Sequence, residues 1–164
     1  MRKPLITASV TLAAILISAS ACGSASPKTT SGAGCVNGSD PHRIEIVVEH
    51  SNGKVLDRCV GFKGSGITAL KAVQESGIEV GTETFGSLGA AFCQVDEQPA
   101  QYSQKCFENG MYWATFISKA GGTWAMTSKG PSSTTLTSGD AYGLRYESQN
   151  GSPVPPPRAP HPGK

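Results

Sequence analysis

The chain has 164 residues, 38% apolar and 16% charged, with 20 Gly and 11 Pro; at roughly 150 residues per domain it allows one domain and excludes a large multidomain enzyme. A charged fraction below the roughly 25% of an average globular chain, with this much Gly and Pro, assigns part of the chain to linker. The formal charge of +2 is carried by Arg2 and Lys3; between His42 and Ser148 acidic side chains outnumber basic ones, and no Lys/Arg cluster is present to release phosphate counterions, which excludes a nucleic-acid partner.

The N-terminus reads as an export signal over residues 1–21. Arg2 and Lys3 form a positive n-region, and Leu5 to Ile17 is an uncharged run of h-region length, too short to span a bilayer comfortably. Ala19-Ser20-Ala21-Cys22 followed by Gly23-Ser24 resembles a bacterial lipoprotein box. The resemblance implies cleavage before Cys22, a diacylglyceryl thioether on its sulfur and a membrane partner through that anchor. The alternative is ordinary secretion with Cys22 left as a free thiol. Residues 22–41 are rich in Ser, Thr and Gly and read as a flexible tether.

With Cys22 set aside, Cys35, Cys59, Cys93 and Cys106 remain. An even number outside the cytosol implies two disulfides. Three connectivities exist, and closeness in sequence favours Cys35 with Cys59 and Cys93 with Cys106. No two of these cysteines have the spacing of structural zinc ligands, so no metal site is expected.

From His42 the periodicities become legible. Arg43 to Glu49 alternates with Ile44, Ile46 and Val48 on one face, and Ser51-Asn52-Gly53-Lys54 supplies a two-residue turn to a return strand over Lys54 to Phe62. Ile67, Leu70 and Val73 stand at helical spacing, with Ser65 or Thr68 as cap and Gly77 as stop, which predicts one amphipathic helix of about ten residues. Ile78 to Ala91 is Gly-rich and reads as a strand plus a loop. Three β-prone runs follow at Met111–Ile117, Thr123–Met126 and Tyr142–Glu147, the first two joined through Gly121-Gly122. The order predicts a small disulfide-braced α+β domain over residues 42–148, with one helix on a mixed sheet in a β-grasp-like arrangement. Residues 149–164, with six prolines from Asn150 onward, read as an extended disordered tail.

Candidate chemistry is sparse. There is no Gly-x-Ser-x-Gly elbow, His-Glu-x-x-His, Walker loop or dinucleotide fingerprint, and no enzyme activity is expected. His42, His50 and His161 have no metal-ligand spacing and are expected to face solvent. Asp96 and Glu97 are adjacent carboxylates and read as a solvated loop. Tyr112 and Trp113 are neighbours on a predicted strand, so one enters the core while the other faces outward, with Trp124 joining either side. They serve as a stacking face for a flat ligand or simply as core. Asp140 after Ser138-Gly139 reads as a turn residue or a ligand contact.

Several segments occur in a fixed order: Gly66-Ile67-Thr68-Ala69-Leu70-Lys71-Ala72; Cys93-Gln94-Val95-Asp96-Glu97-Gln98-Pro99 with Cys106 downstream; Tyr112-Trp113; Thr123-Trp124 followed by Gly130-Pro131; and Ser138-Gly139-Asp140-Ala141-Tyr142-Gly143-Leu144-Arg145-Tyr146. Together they resemble the transcobalamin-like C-terminal domain family, in particular its actinobacterial secreted and lipoprotein members. The resemblance implies a β-grasp-type, non-catalytic binding domain with no cofactor of its own. It implies cobalamin or a related corrinoid as ligand and a vitamin-uptake transporter as partner; on the reading of the aromatics and the turn, Tyr112, Trp113, Trp124, Asp140 and Tyr142 are the candidate ligand contacts. The competing reading is a surface protein-recognition module, adhesin-like or inhibitor-like, with no small-molecule ligand.

Overall fold

The computed structural model describes residues 34–157; the expected signal segment, Cys22 and His161 lie outside them. Within these residues the order is β1 (His42–Glu49), β2 (Val55–Phe62), β3 (Ile67–Thr68), α1 (Ala69–Glu75), β4 (Val80–Thr84), β5 (Ala90–Val95), β6 (Met111–Ser118), β7 (Ala125–Met126), β8 (Thr135–Leu136) and β9 (Ala141–Ser148). The five-stranded sheet has the order β2-β1-β9-β6-β7, and β3-β8 and β4-β5 form two small ladders. Since β1 and β9 pair in parallel and the other neighbours antiparallel, the sheet is mixed, as expected.

The first hairpin forms where the alternation places it, but its turn is longer than two residues. Pairing runs from His42↔Phe62 to Glu49↔Val55, so His50 to Lys54 must close the strands. The His50 N–H donates to the Lys54 carbonyl at 2.9 Å, Asn52 Oδ1 accepts the Lys54 N–H at 2.9 Å, and Gly53 takes a φ of 80°. The helix is shorter than its periodicity suggests, at seven residues. Ile67 is consumed by pairing with Leu136, so the helix begins only after Thr68, whose Oγ1 accepts the Lys71 N–H at 3.3 Å as the cap. Gly77, at φ 78°, ends it. The β6–β7 hairpin turns through Ala120 and Gly121, both at positive φ as a primed turn requires.

Ile44, Ile46 and Val48 of β1, Val60 and Phe62 of β2, and Tyr142 and Leu144 of β9 share the face that meets Ala69, Ala72 and Val73 of α1. Each such aliphatic side chain, fully buried, contributes about 1.5–3 kcal/mol. The two disulfides are Cys35–Cys59 and Cys93–Cys106, each with Cα atoms 4.4 Å apart. In the chain-entropy model, closing a loop of about 15 residues stabilises by roughly 3 kcal/mol.

Both ends of the folded unit extend into segments that composition assigns to tether and tail. Val36 bridges Val60 in parallel, its N–H donating to the Cys59 carbonyl at 2.9 Å. After β9 the chain folds back so that Pro156 is buried, with the Pro155 carbonyl accepting from Arg145 Nη1 at 3.2 Å. A Cβ on Gly143 would stand 3.0 Å from Pro156 Cγ and 3.2 Å from Trp124 Cη2, so glycine here admits both rings to the face opposite the helix.

Candidate functional site

The apolar surface of the domain gathers in one groove. Its floor is the outer edge of β6 from Tyr112 to Thr115, one wall is the start of β5, and the other is the segment from Met126 to Pro131. Phe85, Leu88 and Phe107 close its rim, and it encloses about 470 Å³, within the roughly 300–1,000 Å³ of small-ligand sites. Leu88 is 72% exposed, Met126 54% and Phe107 47%; these are three of the five large apolar side chains exposed among the described residues. Scattered exposed apolar residues mean little, whereas a contiguous cluster marks an interaction surface.

The walls are held by contacts between segments distant in sequence. Gly130 carries no Cβ, which would stand 2.7 Å from the Leu88 carbonyl oxygen, so only glycine lets the two loops approach. Ser132 Oγ accepts the Ala90 N–H at 2.9 Å, and the Pro131 carbonyl accepts the Leu70 N–H at 3.0 Å, fixing this wall to β5 and to the helix. Phe107 is held at φ 64°, a left-handed conformation that costs a bulky residue roughly 1–2 kcal/mol. The Cys93–Cys106 disulfide and Glu83, whose Oε2 accepts the Cys106 N–H at 2.9 Å, hold it there against the Phe85 ring, 5.4 Å between centroids. Lys129 is the sole charged residue on the lining.

The residues expected at the site divide. Tyr112 lines the groove half-buried, its hydroxyl donating to Glu147 Oε1 at 3.3 Å; burial and the Glu147 carboxylate raise its pKa. Trp113 contributes to the lining, but its ring is core, 5% exposed. Trp124 packs on the opposite face near Gly143, away from the groove. Tyr142 is fully buried beside Thr115, and burial raises its phenol well above the ordinary range. Asp140 is also buried, accepting from Lys119 Nζ at 2.7 Å and from the Thr137 N–H at 2.7 Å. Burial alone would raise its pKa, but these donors outweigh it and the pKa is lowered. Neither Asp140 nor Tyr142 lines the groove: Tyr142 points from β9 into the core, and Asp140 is held by Lys119 and Thr137 in the turn before β9.

Two further expectations need correction. His50 does not face solvent: it is 7% exposed, edge-on to Trp113 at 5.9 Å, with Nε2 3.0 Å from Asp96 Oδ2. Asp96 is consequently not a freely solvated loop residue, since Lys54 Nζ also reaches it at 2.8 Å. Phe85, Leu88, Phe107 and Met126 were not singled out from the sequence. Their signal was weak: Phe85, Leu88 and Phe107 are large apolar residues in Gly-rich or disulfide-closed loops that no periodicity buries, and Met126 ends the short strand β7.

Among the described residues, the one set of side chains close enough to share a metal is Glu83, Cys93 and Cys106. Both sulfurs are joined in the disulfide, so they offer no thiolate. No described helix is long and apolar enough to cross a membrane.

No family model matches the chain, and no curated protein matches it. Among solved structures, it is similar to the crystal structure of a "putative metal binding protein" from Ruminococcus gnavus ATCC 29149, at 16% identity and a TM-score of 0.47, over 65% of this chain and 97% of that one. A likeness at this level assigns neither ligand nor activity.

Proposed function

We propose that this chain is a non-catalytic binding module working outside the cytosol, whose groove beside β6 captures an apolar ligand. The observation that carries the reading is the convergence of Leu88, Phe107 and Met126, all exposed, on one cleft whose walls are fixed by a disulfide and a glycine contact. Two disulfides agree with an oxidising compartment. The signal segment and the lipoprotein-like Cys22 extend the reading to export and a lipid anchor. The β1–β2 hairpin, helix α1 and the parallel β1–β9 pair support the β-grasp description.

The transcobalamin-like resemblance brings in a corrinoid as the small molecule to test, with hand-over to an uptake transporter. An open groove covers one side of a large flat ligand, so such binding would be weak without a second surface. The experiment is a titration of the purified chain with hydroxocobalamin and, separately, with the apolar dye anilinonaphthalene sulfonate, following corrin absorbance and dye emission. Dye capture that Leu88→Asp removes supports the groove as the site. A corrin spectral change supports the corrinoid form. Absence of both responses at high micromolar concentration overturns the binding-module reading.

A further inference from the structure

Exposed strand edges present unpaired main-chain groups, and folds normally cover, twist or charge them. Here the edge of β6 has no strand partner along the floor of the groove. β7 pairs with β6 only at Phe116↔Met126 and Ile117↔Ala125, and the last bond on that side is the Thr127 N–H to the Thr115 carbonyl at 2.9 Å. Antiparallel alternation sends the N–H and C=O of Trp113, two residues earlier, to the same side as those of Thr115. Among the described residues no strand pairs with them: β5 lies alongside, but its ladder is made to β4.

Charge gives a second constraint. Lys129 is the sole charged group on the lining and makes no ion pair among the described residues. A second copy docking through its own β6 edge would add another Lys129 and no carboxylate.

From the open edge and the lone cation we infer that the occupant of the groove is an extended polypeptide segment, added as a strand to β6 at Trp113. Alternate apolar side chains enter between Leu88, Phe107 and Met126, and a carboxylate lies at Lys129. The inference rests on the binding-module reading and narrows its ligand to a polypeptide. A flat small molecule would cover the three apolar side chains equally well, yet it would leave the Trp113 donor and acceptor without a ladder. Strand addition satisfies both through main-chain bonds, while alternate side chains supply selectivity.

The test pans a phage-displayed library of eight-residue peptides against the full chain and measures recovered peptides by calorimetry. Binders are expected to alternate apolar and polar residues and to carry an acidic residue. N-methylation of alternate backbone nitrogens is expected to weaken them at least about tenfold, as is Leu88→Asp with an unchanged circular dichroism spectrum, and Lys129→Glu to a smaller extent. Equal binding of the N-methylated peptide overturns the strand inference. So does failure to recover any peptide while the dye still binds, which leaves the groove reading standing; failure of both dye and peptide removes that reading as well. A concentration-dependent dimer abolished by Leu88→Asp would assign the groove to a second copy and likewise overturn the inference.

Discussion

The Trp113 indole N–H donates to the Gln98 carbonyl at 3.1 Å, tying the central sheet to the turn that follows β5. His50 stands edge-on to the same ring, and its Nε2 faces Asp96 in that turn. The core face of β6 and the loop leading to Cys106 and Phe107 therefore share one polar junction.

That junction predicts a pH dependence. Burial lowers the His50 pKa below 6.5, Asp96 pulling it back up and Lys54 pushing it further down. With a folded pKa below the unfolded one, the unfolded chain takes up the proton first. The His50 contribution is complete above pH 6.5 and is lost as pH falls from there through the lower folded value. The melting temperature is expected to fall between about pH 7 and pH 5, and His50→Gln should flatten that part of the profile. A slope unchanged in the variant would reject the assignment.

Asp140 is expected to act through stability alone. Its carboxylate accepts from Lys119 and from Thr137 while 2% exposed, so Asp140→Ala should cost about 2–3 kcal/mol in urea unfolding. Because its folded pKa is lowered from 3.8, its contribution is present above that value and disappears as pH drops through the folded one. Dye or peptide affinity per folded molecule should not move; a specific loss of affinity would return Asp140 to the ligand site.

The disulfides should separate by position. Cys59 lies on β2, three strand steps from β6 in the sheet, or about 14 Å, whereas Cys93–Cys106 holds Phe107 at the groove rim. Replacing either pair by Ser is expected to cost about 3 kcal/mol. Only the Cys93/Cys106 double variant should also lose dye capture in the temperature range where both variants remain folded. Equal dye binding by the two would show that the rim does not depend on the bridge.

Truncation after Gly151 tests the packed end of the chain. Removing Pro155 and Pro156 uncovers the face around Gly143 and Trp124, so Trp emission should shift to the red and stability fall by about 1–2 kcal/mol. Gly143→Val should do the same by displacing both rings. An unshifted spectrum in both variants would show that this contact is not maintained in solution.

Wherever a local period fixes which side of an element is apolar, the sequence was legible. The alternation of Ile44, Ile46 and Val48, the 3–4 spacing in the helix, the Gly-rich turn before β7 and the paired cysteines each predict their element, because strand, helix and turn preferences act over a few residues. The export signal expected over residues 1–21 is likewise read from a local pattern, and those residues lie outside the described ones. Tertiary structure alone decided that Ile67 would join Leu136 instead of the helix, that Pro156 would return to Gly143, and that His50 would be buried against Trp113. The groove belongs to the same class: Phe85 and Leu88 from the β4–β5 loop, Phe107 from the loop before β6 and Met126 from β7 come from three separate segments. Their meeting depends on long-range closure by a disulfide and a glycine contact, which no local pattern encodes.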